Sequence, residues 1–147
     1  MQLVNRIGEL SQTTLIIDTM NCMKMAEKTF REAEQYTWGM REGNFVEAMV
    51  PIFNEQIRKG VKFKDIFPES DLSVYKTYSE KWRNLEGRGL AVSDMPATIL
   101  LTEKEAVLCL RFIGGRMDFA GFFGNDPMFL NWVKDLFLYY WDKGKRF

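Results

Sequence analysis

The chain has 147 residues, 46% of them apolar, with 20 basic and 20 acidic side chains, two cysteines and no histidine. A chain of this length makes one domain and buries roughly 70% of its unfolded surface on folding, so no disulfide or metal staple is needed. The lack of histidine excludes Ser-His and Cys-His nucleophile pairs and imidazole metal ligands, and a net charge of zero removes the long-range attraction to polyphosphate typical of nucleic-acid-binding domains.

The N-terminal residues, Met1 to Gln12, read as an arm in front of a domain over residues 13–147. They lack a basic region followed by an apolar run, and no stretch approaches the ~18 apolar residues of a membrane span. Met20, Met23, Ala26, Phe30 and Ala33 recur at steps of three or four, which predicts an amphipathic helix over about Asp18 to Gln35, with Asp18 as its cap and a Glu27–Arg31 pair on the wet side. Tyr36 to Arg41 follows as a strand. Phe45, Met49, Ile52, Phe53 and Ile57 mark a second helix, kinked or started late by Pro51 and ended at Gly60. Val61, Phe63 and Asp65 alternate with Lys62, Lys64 and Ile66 before Pro68, a second strand at the spacing of a parallel βαβ unit.

Asp71 to Asn84 reads as a polar helix or ordered loop with Tyr75, Tyr78 and Trp82 on one side, ended by Gly87-Arg88-Gly89. Short strands are predicted at Leu90 to Val92, Thr98 to Thr102 and Ala106 to Ile113, with a hairpin at Glu103-Lys104-Glu105. Gly114-Gly115 turns the chain into Met117 to Phe122. Asp126 caps the final helix and Pro127 suits its first turn, so a helix runs to about Asp142. Between Met128 and Trp141 only Asn131, Lys134 and Asp135 are polar, which predicts burial on more than one face. The sum is an α/β domain with a mixed sheet, a parallel βαβ pair plus an antiparallel meander, packed by helices and closed by the aromatic C-terminal helix.

Three runs of this last region, Gly115-Arg116-Met117-Asp118, Asn125 to Trp132 and Asp135 to Trp141, resemble the C-terminal signature of the ArsR-like methanogenesis regulatory proteins, a family of archaeal winged-helix transcriptional regulators. Upstream, Arg6 to Leu10 and Lys59-Gly60-Val61 are similar in kind and order. The resemblance implies a C-terminal effector or sensor domain, with a fold similar to the ligand-binding half of TrmB-type regulators. It also implies an unidentified small-molecule effector, a homodimer, and DNA contact only through a winged-helix domain, of which this sequence shows no sign. Such folds are loosely akin to phospholipase-D-like domains, whose His-Lys-Asp motif a chain without histidine cannot supply.

For the ligand site, Trp38, Met40, Arg41 and Asp65 are predicted at or near the C-terminal ends of the two parallel strands, where open α/β sheets tend to bind ligands. Arg111 interrupts an apolar strand. Pointing inward it needs a carboxylate or an anionic ligand, with Asp118 and Asp94 as candidate partners; otherwise it snorkels to water. Trp132, Tyr139 and Trp141 are expected on a second face of the last helix, at a dimer seam. Gly114-Gly115-Arg116 reads as a hairpin turn and not as a phosphate cradle, since no helix N-terminus follows it. Cys22 and Cys109 fit no metal or CxxC spacing and read as reduced thiols, Cys109 a buried structural one. Asp118 and Asp126 suit turns and caps better than acid-base catalysis. No cofactor or metal is expected, and the protein reads as cytoplasmic. The competing readings are a non-catalytic interaction domain, a histidine-free hydrolase, and a membrane-surface helix formed by the aromatic C-terminus with Lys143, Lys145 and Arg146.

Overall fold

A computed structural model describes residues 13–16, 19–41, 45–79, 85–111 and 117–146. Seven strands form one mixed sheet in the order β1-β7-β6-β5-β2-β3-β4: β1 (Thr13–Ile16), β2 (Tyr36–Met40), β3 (Lys62–Pro68), β4 (Leu85–Leu90), β5 (Ala97–Thr102), β6 (Ala106–Arg111) and β7 (Met117–Gly124). β2, β3 and β4 are mutually parallel, and the remaining pairings are antiparallel. The helices are α1 (Thr19–Glu32), α2 (Phe45–Arg58), α3 (Leu72–Ser79) and α4 (Pro127–Lys143).

Helices on both sides bury both faces of the central strands, so β6 reads as a continuous apolar run with its residues shared between two cores. One core places Cys22, Ala26 and Phe30 of α1 and Phe53 of α2 on Phe63, Leu100, Val107 and Cys109. The other places Phe129, Val133, Phe137 and Trp141 of α4 on Met40, Ile66, Ile99, Leu101 and Leu108. Cys22 and Cys109, remote in sequence, meet with their sulfurs 3.1 Å apart, both buried and neither in a disulfide. The Cys109 sulfur draws the Cys22 thiol pKa below its ordinary value, against the upward push of burial.

Three expectations change. Gly87-Arg88-Gly89 ends no helix; it lies inside β4, a third parallel strand pairing with β3. Gly87 is needed there because a Cβ would lie 2.3 Å from the ring of Tyr75, which stacks on Phe67 with ring centres 3.6 Å apart. What the sequence suggested as a strand at Leu90 to Val92 is the end of β4 followed by a 3-10 turn over Val92–Asp94. Of the two alternatives for α2 the late start is excluded, since it runs from Phe45 with Pro51 inside it on the solvent side, where water can replace the missing hydrogen bond. β1, which no pattern marked, pairs along β7.

α4 matches its predicted start: the Asp126 carboxylate accepts from the Met128 N–H at 2.9 Å and Pro127 occupies the first turn. Its burial is narrower than expected. Phe129, Val133, Phe137 and Trp141 form one buried stripe at steps of four, while Met128, Trp132 and Tyr139 remain exposed. The Asp18 cap, the arm over residues 1–12, Trp82 and the Gly114-Gly115 turn lie outside the described residues.

Candidate functional site

Pleat parity divides the residues expected to share a ligand site. Trp38 and Met40 point to the α4 side of the sheet, whereas Arg41 and Asp65 point to the α1–α2 side. Met40 is fully buried in the α4-side core and has no surface left for a ligand.

Arg41 and Asp65 form a closed pair. Arg41 Nη2 donates to Asp65 Oδ2 at 2.8 Å, and both side chains are buried. The guanidinium lies 5.9 Å from the Phe30 ring centre and 5.3 Å from that of Phe53, a cation against two aromatic rings. Gly39, opposite Asp65 in the β2–β3 register, leaves the space this carboxyl occupies, since a Cβ there would lie 2.8 Å from Oδ1. Burial pushes the Asp65 carboxyl above its usual range despite the opposing pull of Arg41. The adjoining cavity, lined by residues including Cys22, Phe30, Arg41 and Val107, measures about 30 Å³. That is room on the scale of a single water.

The open space lies on the other side of β2. A groove of about 580 Å³ is lined by Gln35, Tyr36, Trp38, Lys62, Phe63, Lys64 and Glu86, at the N-terminal ends of β2 and β3. The parallel register sets Tyr36 beside Lys62 and Trp38 beside Lys64, and Lys64 in turn beside Glu86. Lys64 Nζ lies 4.9 Å from the Trp38 ring centre, and Lys134 Nζ, reaching in from α4, lies 5.3 Å from it. Trp38 stacks on Phe137, and Phe137 on Trp141, with ring centres 5.3 and 5.8 Å apart. Arg88 closes this aromatic row, its guanidinium 4.3 Å from the Trp141 ring and Nη1 donating to the Trp141 carbonyl at 2.6 Å. Glu103 caps the start of β2 by accepting from the backbone N–H groups of Glu34, Gln35 and Tyr36, of which Gln35 and Tyr36 line the groove. Burial raises the Glu103 pKa, but these bonds outweigh it and hold the carboxyl below its usual range.

Among the sequence-derived candidates whose side chains are described, then, only Trp38 borders this groove. Asp94 is exposed in the turn after β4. Arg111 ends β6 and Asp118 lies in β7; the pairing expected of Arg111 falls outside the described side chains. Trp132 and Tyr139 are each 54% exposed on the outer face of α4, but Trp141 is 6% exposed and packs inward, because it falls on the same four-residue stripe as Phe137. Sequence reasoning missed Tyr36, Lys62, Lys64, Glu86 and Lys134. The signal was present in the matched parity of Tyr36/Trp38 and Lys62/Lys64, once the two strands are aligned in parallel. Among the described residues no group of three acidic or cysteine side chains could hold a metal ion, and no helix is long and apolar enough to cross a membrane.

Residues 28–143 match the sequence profile of the methanogenesis regulatory protein FilR1, middle domain. The chain belongs to this family. A search of curated proteins finds no significant sequence relative. Among solved structures the FilR1-type domain is similar to TrmBL2, described as an archaeal chromatin protein with a novel mode of DNA binding, at a TM-score of 0.75 and 17% identity. That match covers 99% of this chain and 60% of the other, so the chain spans about three fifths of that protein's length. NucT from Helicobacter pylori matches at a TM-score of 0.70 and 11% identity, covering 92% of this chain and 99% of that one. Nuc from Salmonella typhimurium, a phospholipase D family member, matches at 0.65 and 9% with the same coverage. At these identities the likeness is one of fold.

Proposed function

We propose that this regulatory domain senses a small-molecule effector in the groove beside Trp38 and pairs with a second copy through the outer face of α4. The observation that carries the reading is the position of α4. It brings the Lys134 ammonium within 5.3 Å of the ring centre of Trp38, which lines the groove, and exposes Met128, Trp132 and Tyr139 on its other side. A ligand that draws Lys134 inward would favour one seating of α4 over another, and a partner helix packed on Trp132 would read that seating as a shift between dimer arrangements. DNA contact is assigned to a winged-helix domain and not to these residues. The reading contains no hydrolytic step, since the chain has no histidine for the motif its phospholipase-like fold relatives suggest.

The test is a panel of sugars, sugar phosphates, nucleotides and organic acids, scored by thermal shift and by Trp38 fluorescence against Trp38→Phe, with native mass spectrometry for stoichiometry. Saturable binding sensed by Trp38, and a dimer that Trp132→Lys dissociates, support sensing and pairing. A monomer that responds to no compound would reduce the domain to a spacer.

A further inference from the structure

We propose that the groove takes a small organic polyanion, its negative groups held by Lys62, Lys64 and Lys134 and its body resting against Tyr36 and Trp38. This rests on the reading of the groove as the sensing site and names the chemistry it would recognise.

Charge around Trp38 is unneutralised. On the outer surface of α1 and α2, cations find carboxylates: Lys28 pairs with Glu105 and Glu32, Arg31 with Glu27, and Lys59 with Glu55. The groove differs. Among the described residues Lys64 and Lys134 make no ion pair, although Glu86 stands next to Lys64 in the strand register. Both ammonium groups instead lie about 5 Å from one indole centre, Lys64 also 5.4 Å from the Trp141 ring and Lys134 also 6.0 Å from that of Tyr36. An aromatic face attracts a cation, but two cations gathered at one ring repel each other, and Lys62 adds a third at the mouth. An anion among them removes that repulsion and gains charge-assisted hydrogen bonds from several donors.

Size and the remaining lining narrow the class. A groove of about 580 Å³ falls within the range of sites that hold metabolite-sized ligands. Glu86 at the rim would repel a second anionic group and accept from a hydroxyl or amino donor, so the ligand should carry its charge at one end and neutral donors at the other. Tyr36 and Trp38, tilted with ring centres 4.9 Å apart, offer that body an apolar wall. Because the chain's net charge is zero, attraction is local to the groove and should fall with added salt.

The experiment titrates the whole chain at low salt with adenosine triphosphate, tripolyphosphate, citrate and adenosine, read by calorimetry and by Trp38 fluorescence. Expected is saturable binding of adenosine triphosphate, tighter than of tripolyphosphate or citrate, with no binding of adenosine. The tripolyphosphate and citrate arms separate phosphate from carboxylate recognition. The Lys64→Ala/Lys134→Ala double variant, shown folded by its melting curve, should bind at least tenfold more weakly, while Lys24→Ala on α1 should bind as the parent does. Equal binding by the double variant overturns the proposal. So does a neutral metabolite that quenches Trp38 regardless of the lysines, in which case sensing at the groove stands and only the ligand class falls. No response to any of the four overturns the polyanion assignment, and silence across the wider metabolite panel as well overturns sensing.

Discussion

The two sides of the sheet handle charge differently. On the α1–α2 side Arg41 and Asp65 are sealed beneath Phe30 and Phe53, bonded to each other, with a cavity of about 30 Å³ beside them. On the α4 side Lys64, Lys134 and Arg88 lie against aromatic rings, and Lys64 and Trp38 line a groove of about 580 Å³. A buried ion pair that has found its counter-ion adds specificity to the packing and has nothing left to bind. Cations resting on aromatic faces are only partly satisfied and remain available. The first side is scaffold, and the second is the side we propose for a ligand.

The largest effect should come from breaking the sealed pair. Asp65→Ala leaves Arg41 buried without a carboxylate and should cost about 3–5 kcal/mol in urea unfolding. The double variant Arg41→Met/Asp65→Leu should recover most of that loss; a single variant as stable as the parent would mean that water reaches Arg41.

A smaller effect is expected at the cap of β2. Glu103→Gln should lose about 1 kcal/mol at neutral pH, screened by its partial exposure. The sign follows from its lowered pKa in the fold. The stabilisation is fully present above the unfolded carboxyl pKa of about 4.3 and disappears as pH falls through the lower folded value, so the gap between parent and variant should close in acid. A gap constant down to the lowest pH would show that charge plays no part in this cap.

The smallest stability effect belongs to the open side. Replacing Lys64 and Lys134 together by Ala should change unfolding by no more than about 1 kcal/mol in either direction, because exposed cation–aromatic contacts are weak and the removed charges repel each other. A loss of several kcal/mol would make these lysines structural and erase the contrast between the two sides.

Much of the fold was legible because its signals are local. Asp126-Pro127 marks the start of α4, and the alternation before Pro68 marks β3. The resemblance carried by the segments from Gly115 to Trp141 led to the family that residues 28–143 match. β4 was hidden because Gly87 and Gly89 look like a turn until Tyr75 is known to pack across Gly87. The division of the expected ligand set between the two sides of the sheet follows from arithmetic already in the sequence, since positions 38 and 41 of one extended run do not share a face. The groove itself needed tertiary knowledge. Lys134 comes from α4, nearly a hundred residues beyond Trp38, and no local pattern reports which strand that helix covers.

The most direct test of the central claim is an amide chemical-shift map of the whole chain titrated with adenosine triphosphate at low salt. The account predicts shifts centred on Tyr36, Trp38, Lys62, Lys64, Glu86 and Lys134, with Phe30, Arg41 and Asp65 unmoved. Shifts centred on Arg41 and its neighbours, with the groove silent, would contradict it.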